Sequence, residues 1–253
     1  MLFLTEIISI SPDKHILFLA DLHSNITAYN AIMDKVNESY NMKSNNFYVL
    51  CLGDIIGYGP EPNEMLKISE SFHGWVIGNH DVACATGNAD GFKREAKDAV
   101  MWTFEKLSTY NKTYVSMAVE RQFMIIEENG VKLYLVHASP EDPIGGYIFP
   151  EHSKEKKERH LKDIGDCHLL VVGHTHIPMF YQSKTGKAIL NPGSVGQPRD
   201  NNPKAATAVL EISEDSSIEI NWIRAKYDVR EVAKKIIEVG LPSRLGDRLI
   251  FGE

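Results

Sequence analysis

Residues 15–23 read H-I-L-F-L-A-D-L-H, an apolar run from Ile16 to Ala20 that breaks into a carboxylate, a leucine and an imidazole. A short continuous run of this kind fits a strand buried on both faces. The design recurs four times. F-Y-V-L-C-L precedes Gly53-Asp54, W-V-I precedes Gly78-Asn79-His80-Asp81, V-K-L-Y-L-V precedes His137, and L-L-V-V precedes G-H-T-H with His174 and His176. The expected strands are His15 to Ala20, Phe47 to Leu52, Trp75 to Ile77, Val131 to Val136 and Leu169 to Val172.

Helical periodicity fills the gaps between these runs. Ile26 to Glu38 places Ile26, Tyr29, Ile32, Met33 and Val36 on one stripe, with Asn25 or Thr27 at the cap, and Pro62 to Phe72 forms a second candidate. Alternating strands and helices predict a layered α/β (α+β) domain. Residues from about 85 to 120 read as a helical insertion of two helices. Beyond Val172 the chain favours strands, at Met179 to Gln182, Ala188 to Leu190, Ala206 to Ile212 and Ile218 to Ile223, punctuated by Thr185-Gly186 and Glu214-Asp215. A last helix is expected from Val229 to Val239. The N-terminal M-L-F-L-T-E-I-I-S-I reads as a strand. No repeat or linker interrupts residues 1–253, which predicts one domain with two sheets.

Composition narrows the function. The 253 residues are 43% hydrophobic and 24% charged, ordinary for a globular protein, with a formal net charge of −7. That acidity argues against general nucleic-acid binding and against an anionic membrane surface. Cys51, Cys84 and Cys167 form neither a C-x-x-C pair nor an even framework, so the expectation is a reduced, cytoplasmic protein. No apolar segment approaches the roughly 20 residues needed to span a bilayer.

Each of the five strand ends therefore carries groups that bind metal: Asp21 and His23, Asp54, Asn79, His137, and His174 with His176. The five strand ends also hold five of the ten histidines, counting His80. Any one of these is ordinary alone, because Asp and Asn are common in turns and a single His at a strand end is commonly structural. Together they demand five coincidences at equivalent positions, and strand ends are where α/β sheets gather a site from distant parts of the chain. Carboxylate, imidazole and one amide, without thiolate, suit Mn first, with Fe, Zn, Ni or Co as alternatives. Seven side chains exceed the needs of one ion, so two divalent metal ions are expected, about 3.5–4 Å apart in sites of this type.

The ordered blocks D-x-H, G-D, G-N-H-D, H and G-H-T-H resemble those of the calcineurin-like metallophosphoesterases. The phrases G-D-I-I-G-Y-G-P-E-P-N-E and N-P-G-S-V-G-Q-P-R-D are similar to the bacterial and archaeal phosphodiesterase branch. The resemblance implies two packed mixed β-sheets flanked by helices, a four-layer sandwich. It also implies that Asp21, His23 and His176 hold one ion, that Asn79, His137 and His174 hold the other, and that Asp54 bridges them. His80 would stand beside the metals as the catalytic residue, protonating the leaving group or stabilising charge on phosphorus while a metal-bridging hydroxide attacks. Gly78 would let the chain turn, and Asp81 would orient His80.

Around this centre, Asn25 is a candidate for substrate contact or for a helix cap, and Arg199 for bidentate phosphate binding. Tyr147 and Phe149 suit a lid, Tyr58 a pocket wall, and Trp102 and Phe104 a core. Gly57-Tyr58-Gly59 stands where protein Ser/Thr phosphatases of the superfamily carry an Asp-Arg pair, which argues against a phosphoprotein substrate. Ala138 replaces a frequent Gly after His137. The expected activity is hydrolysis of phosphodiesters or small phosphorylated molecules. The alternatives are a diadenosine-polyphosphate or nucleotide pyrophosphohydrolase and a non-catalytic scaffold of the same fold. A small phosphorylated substrate is the expected partner, and a homo-oligomer stays open.

Overall fold

The computed structural model describes residues 7–9, 15–40 and 47–253. Strands β2 (His15–Leu19), β3 (Phe47–Cys51) and β4 (Gly74–Trp75) run parallel. With β10 (Ala205–Ile212) and β11 (Ile218–Ala225), both joined antiparallel, they form a five-stranded sheet ordered β11-β10-β2-β3-β4. The second sheet uses β1 (Ile7–Ser9), β5 (Phe123–Glu128), β6 (Val131–Val136), β7 (Leu169–Val171), β8 (Met179–Gln182) and β9 (Ala188–Asn191), ordered β1-β5-β6-β7-β9-β8. Both sheets mix parallel and antiparallel pairs.

Period-two alternation sets the layers. Ile16, Phe18 and Ala20 of the β2 run face inward with Leu50 and Leu52 and meet Leu133, Leu135, Leu169, Val171 and Leu190 of the other sheet. Leu17 and Leu19 point the opposite way, onto Ala28, Ile32 and Val36 of α1 (Ile26–Tyr40) and onto Met65 and Leu66 of α2 (Pro62–Ser69). On the outer face of the six-stranded sheet, Leu170, Val172 and Ile189 pack on Leu161 of α6 (Lys154–Asp163). The result is helix, sheet, sheet, helix, the four-layer sandwich expected. α3 (Asn79–Thr86), α4 (Arg94–Lys106) and α5 (Thr109–Ser116) lie between the strands of the two sheets in sequence. α7 (Val229–Glu238) and α8 (Ser243–Phe251) close a satellite core with Tyr58, Ala96 and Ala99.

Several elements depart from expectation. Only Ile7–Ser9 of the N-terminal strand is described; the rest of Met1 to Ile10 lies outside the described residues. The third strand is reduced to Gly74–Trp75; Val76 N still donates to Cys51 O and Ile77 N to Arg121 O before the chain enters α3. β5, α3, α6 and α8 were not expected. α6 is K-E-K-K-E-R-H-L-K-D, too polar for an apolar stripe, and α8 carries Gly246 at its centre. That glycine lets the two helices pack closely, since a Cβ there would lie 3.0 Å from the Ala233 Cβ of α7. All three cysteines are buried and unpaired. No helix of the described residues is long and apolar enough to cross a membrane.

Candidate metal centre

The strand registers bring the five motif loops to one edge of the sandwich. Leu19 pairs with Cys51 and Cys51 with Trp75, while Leu135 pairs with Val171, so each strand ends within a few residues of its ligands. Asp21, His23, Asp54 and Asn79 leave the five-stranded sheet. His137, His174 and His176 leave the six-stranded one. Asp21, His23, Asp54, His137 and His176 are all but inaccessible to solvent, and His174 is buried at the cavity edge.

The backbone is bent to achieve this. Asp21, His23, Asp54, His174 and His176 all have left-handed φ, between 44° and 64°. Non-glycine residues rarely adopt that region, although Asp and His are among the more tolerant, and clusters of such residues mark functional sites where the surrounding structure enforces the strain. Interlocking loop bonds supply the enforcement: Asp21 N donates to Gly53 O, His23 N to Asp54 O, and Gly196 N to Asp21 O.

Two groups of ligand atoms converge, Asp21, His23, Asp54 and His176 in one, and Asp54, His137 and His174 in the other. Asp54 belongs to both. Asn79 joins the second, with its Oδ1 3.2 Å from His137 Nε2. The imidazole chemistry tests whether these groups suit cations. His23 Nδ1 lies 3.2 Å from Ile56 O, His137 Nδ1 2.7 Å from Leu52 O, and His176 Nδ1 2.6 Å from Gln197 O. A carbonyl can only accept, so each Nδ1 carries a proton, and each ring in its neutral form turns its Nε2 lone pair into the site. There the His23 and His176 Nε2 atoms face each other at 3.2 Å, and His137 Nε2 faces His174 Nδ1 at 3.1 Å. Asp54 Oδ2 stands 3.6 Å from His23 Nε2 and 3.5 Å from His137 Nε2. Buried lone pairs aimed at one another repel unless positive charge lies among them, and Asp21 Oδ2 is buried with no hydrogen-bond partner. The donor set therefore fits metal ions.

The electrostatics agree. Burial pushes the Asp21 carboxyl up to about 8. Burial would depress His137, but the adjacent Asp54 carboxylate outweighs it and raises the imidazole to about 9. Burial, with His137 charge added, lowers His174 to about 3.

The Asn79-His80-Asp81 run is the first turn of α3, with Gly78 as N-cap. Gly78 is extended rather than turned, at φ −103°, which corrects its expected role: a Cβ there would collide with the Asp54 carboxylate and main chain. His80 N donates to Asp54 Oδ1 at 2.8 Å. The His80 ring is buried on the cavity wall, 4.9 Å from His23 and 4.3 Å from Tyr58, with Nδ1 unpartnered, and burial lowers its pKa to about 4. Asp81 does not reach His80. Its Oδ1 accepts from Ile56 N at 3.1 Å and its Oδ2 from Gly78 N at 3.0 Å, buckling the Asp54 loop to the start of α3.

The outer residues divide. Asn25 is a cap, its Oδ1 accepting from Ala28 N at 3.0 Å and its Nδ2 donating to Gly196 O at 2.9 Å, so its side chain is spent inside the fold. Arg199, Tyr58 and Tyr147 line a cavity of about 720 Å³ that opens onto Asp54, Asn79 and His174. Tyr147 lies 4.3 Å from the His174 ring and stacks on Phe149 at 5.2 Å. Trp102 and Phe104 stay away from the cavity: Trp102 Nε1 donates to Val239 O, and Phe104 lies beneath Lys112. Ala138 is buried and donates to Pro143 O. Sequence reasoning missed Arg244, Arg248, Phe92 and Lys93 in the cavity lining, Phe92 packing 4.8 Å from the His80 ring. A signal existed in S-R-L-G-D-R-L-I-F, where an Arg-Leu pair repeats at a four-residue interval.

A model of the calcineurin-like phosphoesterase superfamily domain matches residues 15–215. An uncharacterized protein of Methanocaldococcus jannaschii is 33% identical, covering 92% of this chain and 96% of that protein. The crystal structure of a metallophosphoesterase from Sphaerobacter thermophilus superimposes with a TM-score of 0.76 at 28% identity, over 95% of this chain and 99% of the other. A hypothetical protein from Pyrococcus horikoshii shares the fold, with a TM-score of 0.82 at 20% identity over 94% and 98% of the two chains.

Proposed function

The chain belongs to the calcineurin-like phosphoesterase superfamily, and from that premise we propose that it is a dinuclear-metal phosphoesterase acting on phosphodiesters or small phosphorylated molecules. The observation that carries this reading is the membership of Asp54 in both ligand groups. One carboxylate shared between two clusters of inward-facing nitrogens is the arrangement a two-ion site requires.

In the proposed site Asp21, His23 and His176 would hold one ion, Asn79, His137 and His174 would hold the other, and Asp54 would serve both. Bound divalent ions, Mn foremost, supply a water activated near neutral pH and neutralise charge on the phosphoryl oxygens. The chain's own groups do the rest. The carbonyls of Ile56, Leu52 and Gln197 fix the ring orientation and tautomer of His23, His137 and His176, which holds each ligating nitrogen ready. His80, anchored through its main-chain N–H to Asp54, presents an imidazole to the cavity as hydrogen-bond donor to the departing oxygen. Arg199 lies on the same wall and offers its guanidinium to a phosphate oxygen. Gly57-Tyr58-Gly59 in place of an Asp-Arg pair supports a small substrate over a phosphoprotein.

Elemental analysis of the purified protein, with parallel assays of an aryl phosphodiester, an aryl phosphomonoester and a dinucleoside polyphosphate across Mn, Ni, Co, Zn and Mg, tests the reading. Two equivalents of metal and hydrolysis of the diester are expected. Hydrolysis with none of the metals would leave the scaffold alternative standing, and strong preference for the dinucleoside polyphosphate would select the pyrophosphohydrolase.

A further inference from the structure

The cavity over the ligand cluster has a second, cationic wall. At about 720 Å³ it is far larger than one phosphate group requires and lies in the range of pockets that enclose whole small molecules. Besides Asp54, Asn79 and His174 it is lined by Arg199, Arg244 and Arg248. Arg244 and Arg248 stand one turn apart on α8 and so share a face. Leu245 and Leu249, the next residue in each case, anchor the helix against Val232 and Ile236 of α7.

Two of the three guanidiniums form no ion pair with a side-chain carboxylate among the described residues. Arg199 donates to Gln197 Oε1 at 3.0 Å and Tyr58 Oη at 3.4 Å, both neutral, and its Nε is buried without a partner. Arg248 Nε donates to the Glu253 main-chain oxygen at 3.0 Å. Among the described residues neither forms an ion pair with a side-chain carboxylate, in contrast to Arg224, which is paired with Asp200. Asp90, Glu95 and Glu253 also border the cavity, but among the described residues only Glu95 brings a side-chain carboxylate within 4.0 Å of one of these guanidiniums, that of Arg244. Both unpaired cations flank the Tyr58 ring, Arg199 at 5.8 Å and Arg248 at 5.6 Å. Burial, then the charge of Arg199, pulls the Arg248 pKa down. Holding like charges together in a half-buried place is costly unless an anion settles between them.

We propose that Arg199, Arg248 and Arg244 form an anion track that receives a second phosphate of the substrate, so that the natural substrate is a phosphoester carrying a further phosphate group. This rests on the phosphoesterase reading of the metal cluster: one phosphoryl group lies at the ligands and the second reaches past Tyr58 to α8. Arg199, nearest the ligands, serves both groups, and Arg244, the most exposed, meets the substrate first.

Isothermal titration calorimetry of the metal-free full chain in EDTA, with AMP and ADP as probes, reads the track without the ions. ADP is expected to bind about tenfold more tightly than AMP, the scale of one added charge-assisted contact. Arg248→Ala is expected to shrink that ratio below about threefold, and Arg248→Lys to restore part of it, which separates lost charge from lost folding. Arg244→Ala, on an exposed position, is expected to reduce the ratio less. Equal affinities on the wild type, or a ratio intact in both Arg248→Ala and Arg244→Ala, would overturn the track. Hydrolysis by the metal-loaded wild type keeps the two readings apart: no turnover of the aryl diester, the aryl monoester or the dinucleoside polyphosphate sinks the phosphoesterase, whereas turnover with no ADP preference sinks only the track.

Discussion

The two walls of the cavity are built by opposite means. The ligand wall is made of short side chains on five strand-end loops, several in left-handed backbone and all locked by main-chain hydrogen bonds. The cationic wall is made of long side chains, Arg248, Arg244 and Lys93, carried on or beside helices. Reaction chemistry tolerates little displacement, so it sits on strained, over-determined backbone. Substrate selection needs reach and adaptability, which flexible cationic stems provide.

The sharpest way to break this contrast is at Asp54. Asp54→Asn is expected to lose turnover by on the order of 10³-fold or more, because weakening the shared ligand removes several kcal/mol of charge stabilisation. Metal content should fall with it; full occupancy with undiminished turnover would remove Asp54 from the bridge. His80→Ala follows, with full metal occupancy and turnover reduced by roughly 10²–10³-fold, most severely for poor leaving groups. A leaving-group series run on the variant checks this. Asp81→Asn should weaken metal affinity by about 10–100-fold without touching a ligand, since it unfastens the buckle between Ile56 and Gly78. A metal titration with thermal denaturation alongside separates that effect from general destabilisation. Among the cationic residues of the lining, Arg199→Ala should act mainly on KM, by about tenfold. A loss confined to kcat would place Arg199 with the reacting atoms instead. Smallest is Asn25→Ala, which removes a helix cap and should cost about 1 kcal/mol in a denaturant titration.

The same contrast explains what could be read from the chain. The ligand wall was legible because each ligand follows its strand within a few residues, so local sequence and local structure coincide. Continuous apolar runs marked β2, β3, β6 and β7, and turn signals separated β8 from β9 and β10 from β11. α3 was not legible, because its opening residues are the polar site groups themselves and it has little apolar periodicity. α6 carries almost no apolar face, and α8 hides a helix behind a glycine that lets Ala233 pack closely. Asp81 was misread because adjacency in sequence suggested His80 as its partner. One helical turn instead directs it to the main chain. For Arg248 the repeated Arg-Leu pair marks a helix with one cationic face, but only the fold brings that face to the cavity.

The division of the ligands between the sheets has a further meaning. Asp21, His23 and Asp54 share their group with His176 from the other sheet, and Asp54 shares its second group with His137 and His174. Neither cluster exists within one sheet. A bound ion would thus act as a rivet through the middle of the sandwich, closing chain loops of more than a hundred residues. Metal uptake would report that both halves had folded and docked, and a nascent chain released before Gly173-His174-Thr175-His176 would have only part of each cluster to offer.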